Sequence, residues 1–78
     1  MDLPWRIGYL KREDGVVIST VKPPCLAWYG TYETAIRMED ELSWKIYKGY
    51  ENKEDALIGH KEFCEMSKEE ILNLSPIG

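Results

Sequence analysis

Histidine and phenylalanine each occur once in this chain, and cysteine twice. So few metal ligands exclude a four-ligand cysteine or histidine zinc cage built from closely spaced pairs. Cys25 and Cys64 stand far apart with no export signal before them, which reads as two reduced thiols and not as a disulfide framework. No apolar run reaches the length needed to cross a bilayer, so a membrane role is not expected. Positive charge is in deficit as well. Ten Lys and Arg against fourteen Asp and Glu give a formal charge of −4, a field that repels nucleic acid and anionic lipid. Phosphate loops, CxxC pairs, nucleophile elbows and HExxH helices are all missing, so an enzyme is not expected.

What remains is a compact-domain composition: 78 residues, 44% hydrophobic and 31% charged. That length holds one core, so residues 1–78 are read as a single domain. Because a core of this size yields little net stability, a partner subunit is expected, most simply a homodimer.

Two hairpins are readable in the first fifty residues. Trp5, Ile7 and Tyr9 alternate with smaller or polar neighbours, Val16 to Val21 is rich in β-branched side chains, and Asp14-Gly15 marks the reversal between them. Pro23-Pro24 ends the second strand, since proline has no N–H to give to a ladder. Tyr32, Thr34, Ile36 and Met38 alternate against Glu33, Ala35 and Arg37 in a third strand. After the acidic turn at residues 39–41, a fourth strand is predicted with Trp44, Ile46 and Tyr50 on one side.

The period then lengthens to about 3.6. Asn52 is an N-cap, and Glu54 and Asp55 place negative charge in the first turn of a helix predicted over residues 53–65. Its apolar arc of roughly 120° holds Ala56, Leu57, His60, Phe63 and Cys64. Ser67 to Glu70 forms a capping box and Met66 with Ile71 a hydrophobic staple, so a second short helix follows, ended by Pro76. The expected fold is α+β: an antiparallel sheet of about four strands with one amphipathic helix on one face and a short C-terminal helix.

Two features carry chemical interest. His60 lies near the centre of the apolar arc and follows Gly59, where a missing side chain permits close approach of another backbone. It could act as a general base, or share a metal with Cys64 and Cys25, but a core histidine hydrogen-bonded to the sheet or a loop is the favoured reading. Trp28, Tyr29 and Tyr32 flank Gly30, an arrangement that serves either core packing or a stacking and docking platform, and Trp44 is a further aromatic candidate. The scattered carboxylates at 33, 39–41 and 69–70 read as solvated groups and not as a catalytic pair. No cofactor is expected.

Ser19-Thr20-Val21, Tyr32 to Ile36, Trp44 to Tyr50, and Asn52 to His60 follow one another in an order that resembles a widespread group of small bacteriophage proteins. In that group these stretches look like S-T-V, a loop, E-T-M-V-F, a W-x-x-R-Y strand and a helix reading T-x-E-E-A-x-x-G-H. The resemblance spans about residues 19–64. This chain departs from it at Ala35-Ile36-Arg37, at Lys48-Gly49-Tyr50 and in the Pro-Pro-Cys segment after Val21. It implies a phage or prophage origin, adds weight to Glu33, Thr34, Gly59 and His60 as candidate binding or packing positions, and carries no assigned reaction. The expected function is a non-enzymatic accessory protein in the bacterial host cytoplasm, binding a host protein or sequestering a small signal such as a nucleotide. The alternative is a minor virion or assembly component that docks on a larger phage protein.

Overall fold

The computed structural model describes residues 5–23 and 31–78. Four strands, β1 (Arg6–Lys11), β2 (Val16–Val21), β3 (Tyr32–Met38) and β4 (Lys45–Tyr50), precede two helices, α1 (Lys53–Glu65) and α2 (Lys68–Leu72). The strands pair in chain order as one antiparallel sheet. The fold is α+β, with α1 laid across one face.

The first reversal works because Gly15 takes a φ of 90°, where a Cβ would be strained. Asp14 accepts from the Val16 backbone N–H at 3.2 Å and from the Arg12 guanidinium at 2.5 Å. Arg12 also donates to the Met66 carbonyl at 2.5 Å, and Lys68 donates to the Asp14 carbonyl at 3.0 Å. The tip of the first hairpin is thereby fastened to the junction of the two helices.

β2 and β3 pair without interruption, Val16 opposite Met38, Ile18 opposite Ile36, and Thr20 opposite Thr34. These residues share the face toward α1. Val16, Ile18 and Ile36 join Phe63 of α1 and Ile71 of α2 in the buried cluster, with Met38, Tyr47, Cys64 and Met66 at its margin. Each fully buried Val or Ile side chain contributes about 1.5–3 kcal/mol from surface removed from water. Asn52 accepts from the Asp55 N–H at 2.8 Å and caps α1. Ser67 and Glu70 form a reciprocal capping box on α2, with Met66 and Ile71 both turned to the core.

Four sequence expectations are corrected. Pairing between β3 and β4 slips between Thr34 and Ala35, so that Tyr47 is an extra residue on β4. This bulge turns both Tyr47 and Tyr50 toward α1 and leaves Ile46 on the other face, against the alternation predicted for Trp44, Ile46 and Tyr50. Tyr9 stays 44% exposed, because Gly8 and Leu10, the partners of Thr20 and Ile18, take the helix side of β1, and Trp5, beyond a slip in the pairing between Arg6 and Gly8, stays 39% exposed. Leu57 is 47% exposed, since α1 presents Ala56, Gly59 and Phe63 to the sheet and leaves Leu57 at its rim. Finally, α2 stops at Leu72, capped by Asn73, before Pro76 is reached.

At the far edge of the sheet the C-terminal segment returns to one residue of β4. Ile46 gives its N–H to the Gly78 carbonyl at 3.0 Å and accepts from Ile77 at 2.7 Å.

Candidate functional site

Two arrangements stand out, one buried and polar, the other exposed and aromatic. The first starts from a choice of strand residue. Thr20 and Thr34 occupy the position next along the ladder from Ile18 and Ile36, and threonine keeps the β-branched shape of the core residues while adding a hydroxyl. Both are fully buried. Their hydroxyl oxygens lie 2.6 Å apart. Thr20 Oγ1 is 2.7 Å from Nδ1 of His60, and Thr34 Oγ1 is 3.0 Å from the Tyr50 hydroxyl. The bonds run in a line from β4 across β3 and β2 to α1.

Each end of that line rests on a glycine. A Cβ on Gly8 would run into the imidazole of His60, and one on Gly59 into the ring of Tyr50. The sequence expectation that Gly59 lets another backbone approach is corrected on this point: it is a tyrosine ring that fills the space.

Proton counting gives the line a direction. Three hydroxyl hydrogens serve three bonds if Tyr50 donates to Thr34, Thr34 to Thr20, and Thr20 to Nδ1, which places the imidazole hydrogen on Nε2. The reverse order leaves the hydrogen of the Tyr50 hydroxyl without an acceptor among the described residues, at a site only 5% exposed. Burial lowers the His60 pKa below its ordinary value and favours the same neutral imidazole. Burial also pushes the Tyr50 phenol up, partly offset by its bond to Thr34 and reinforced by the nearby charge of Glu62. Among the described residues no three His, Cys, Asp or Glu side chains gather as metal ligands. Cys64 is a free, half-buried thiol raised in pKa by burial.

Glu33 lies on the other face, opposite Val21 and Gly49. It is 6% exposed, its Oε2 has no hydrogen-bond partner among the described residues, and burial pushes its carboxyl above the ordinary glutamate value.

The exposed arrangement surrounds Arg6. Its guanidinium carbon lies 5.5 Å from the Trp5 ring centroid and 5.0 Å from that of Tyr9. On β3, Arg37 stands 5.1 Å over the Trp44 ring and reaches the carbonyl of Glu41 at 3.1 Å, so the same guanidinium orders the turn into β4. Lys11 and Glu39 pair at 2.9 Å on the exposed surface.

Three hollows border the described residues. One of about 280 Å³ lies between the end of β4 and α1, with Glu51, Asp55 and Glu62 against a single cation, Lys48. Another, about 520 Å³, has Glu39, Asp40 and Glu41 against Lys68. Both of these rims are acidic, whereas a third hollow of about 230 Å³, beside Tyr47 and Leu72, sets Arg37 and Lys45 against Glu41.

Of the candidates from sequence, Thr34, Gly59 and His60 meet in the buried line, Tyr32 sits half-buried opposite Tyr50, Glu33 faces away, and Trp44 stacks under Arg37. Trp28 and Tyr29 lie outside the described residues. Gly8, Thr20 and Tyr50, and the Trp5, Arg6 and Tyr9 group, were not among the site candidates from sequence. A glycine within an apolar strand and a second threonine at a core-facing position were the available signals. No helix among the described residues is long and apolar enough to cross a membrane. No protein-family model, curated protein or solved structure matches the chain.

Proposed function

We propose that this protein is a non-enzymatic binding protein of phage or prophage origin that docks a host protein through exposed aromatic and arginine side chains of the sheet. The observation that carries this is the cluster of Trp5, Arg6 and Tyr9, exposed at the surface, with Arg37 and Trp44 as a second stacked pair. Trp, Tyr and Arg are the residue types that dominate protein interfaces, since they bury large area at low conformational cost. The groups best suited to chemistry are, by contrast, engaged with one another. Thr20 and Thr34 are fully buried, and the His60 ring is packed against Gly8, which supports a role in the fold. A protein partner is favoured over a nucleotide because two of the hollows carry carboxylates that repel phosphate, and in the third the Arg37 guanidinium is already engaged by the Trp44 ring and the Glu41 carbonyl. The resemblance of residues 19–64 to small phage proteins supports the infection context.

The test compares wild type with Arg6→Ala and Tyr9→Ala for retention of a host protein from extract, each variant first shown to keep its melting temperature. A discrete partner retained by wild type, and bound at least tenfold more weakly by either variant, is the expected result. Retention indifferent to both changes overturns the reading. So does fixed-stoichiometry recovery of the protein in purified particles, which would make it a virion component.

A further inference from the structure

We infer that the free edge of β1 accepts an extended, acidic segment of the partner protein as a fifth strand, an inference that rests on the docking reading above. The two edges of the sheet differ. β4 is closed at Ile46 by the backbone of Ile77 and Gly78, whereas the outer edge of β1 meets no backbone partner among the described residues.

The ladder says which groups are offered. Arg12 donates to the Val16 carbonyl, and the register pairs Leu10 with Ile18 and Gly8 with Thr20. In an antiparallel pair the hydrogen-bonded residues alternate, so the backbone groups of Gly8, Leu10 and Arg12 turn inward to β2 while those of Tyr9 and Lys11 turn outward. Two adjacent outward residues give an incoming strand two donors and two acceptors.

Charge selects the occupant. The chain as a whole carries −4, yet β1 has Arg6 at its start and Lys11 at its end, followed by Arg12. Six carboxylates against three lysines on α1 and α2 place the acidity on the opposite layer. A second copy is the poorer fit, because antiparallel pairing of β1 with itself brings Arg6 of one chain toward Lys11 or Arg12 of the other. An added strand with carboxylates on the outer face would meet Lys11 and Arg6, while its alternate side chains lie beside Leu10. Lys11 is free to exchange partners, since its pairing with Glu39 is solvent-exposed on both sides.

The experiment uses the whole chain, amide-resolved NMR and a capped peptide of alternating Glu and Val, with an alternating Lys and Val peptide as control. The Glu peptide is expected to shift and protect the Tyr9 and Lys11 amides while leaving those of Gly8 and Leu10 bonded as before. The Lys peptide is expected to bind about fivefold or more weakly. Arg6→Glu combined with Lys11→Glu is expected to reverse that preference, and Tyr9→Pro, which removes one outward N–H, to abolish binding at unchanged fold. Tyr9 and Lys11 amides already protected in dilute free protein, protection that grows with protein concentration in place of peptide, or no response to the Glu peptide would each overturn the inference. If the host partner is retained through Arg6 and Tyr9 while these amides stay open, the docking reading stands and the edge inference falls.

Discussion

Gly8 of β1 and His60 of α1 fit together as an empty position and its filler: the imidazole occupies the space where a side chain on Gly8 would begin. Gly8→Ala is therefore expected to lower unfolding free energy by about 1–3 kcal/mol through overpacking. The cost should shrink when His60→Ala is also present, because the two changes act on one space. Denaturant titration of the two single variants and the double variant measures this. Strictly additive losses would show that the ring does not sit there.

The direction of the hydroxyl line predicts an asymmetry between two removals of nearly unchanged shape. Thr34→Val deprives the buried Tyr50 hydroxyl of its acceptor and should cost about 1–3 kcal/mol. Tyr50→Phe removes the first donor and strands no hydrogen, so it should cost less, under about 1 kcal/mol. The double variant should be no worse than Thr34→Val alone. Equal losses from the two single changes would contradict the direction.

Acid should weaken the fold through His60. Its folded pKa lies below the ordinary 6.5, so between the two values the unfolded chain binds more protons and stability rises with pH. Its contribution is full above 6.5 and falls away as pH drops below that value. Glu33 works the other way. Its folded pKa lies above the ordinary 4.5, so the folded chain binds more protons and the contribution present at low pH is lost as pH rises past 4.5. Unfolding curves collected from pH 4 to pH 8 should thus show Glu33→Gln gaining on wild type toward neutral pH. They should also show His60→Asn losing the decline below 6.5.

The short α2 is held by a cap and one anchor. Ser67→Ala should cost about 1 kcal/mol by opening the capping box. Ile71→Ala, at a fully buried position, should cost about 2–5 kcal/mol. Ile71→Ala should also expose the Arg12 contact at Met66, since the hairpin tip leans on the same junction. Amide exchange at residues 66–72 would report both effects, and protection unchanged in Ile71→Ala would rule out that anchoring.

Periodicity carried most of this architecture. Val16, Ile18 and Ile36 declared their strands, and Asn52 and Ser67 declared the helix starts, because capping and alternation are local properties. The slip between Thr34 and Ala35 was not legible, since a bulge is decided by which tyrosine the helix can accommodate and not by the strand itself. His60 and Gly59 were conspicuous as the lone imidazole and a mid-helix glycine. Their partners were not, because Thr20, Tyr50 and Gly8 acquire meaning only when strands far apart in sequence are brought into register. The Trp5, Arg6 and Tyr9 cluster was hidden for two reasons: alternating aromatics look like core until the helix is seen to prefer the other side of β1 at Tyr9, and the slip between Arg6 and Gly8 that brings Arg6 beside both rings is not written in the strand.

Nitrogen-resolved NMR of the single imidazole tests most directly whether His60 is held as the terminal acceptor of a buried hydroxyl line. A neutral ring at pH 7 with its hydrogen on Nε2, titrating below 6.5, is the predicted result. A hydrogen on Nδ1 at neutral pH, or titration at or above 6.5, would contradict it.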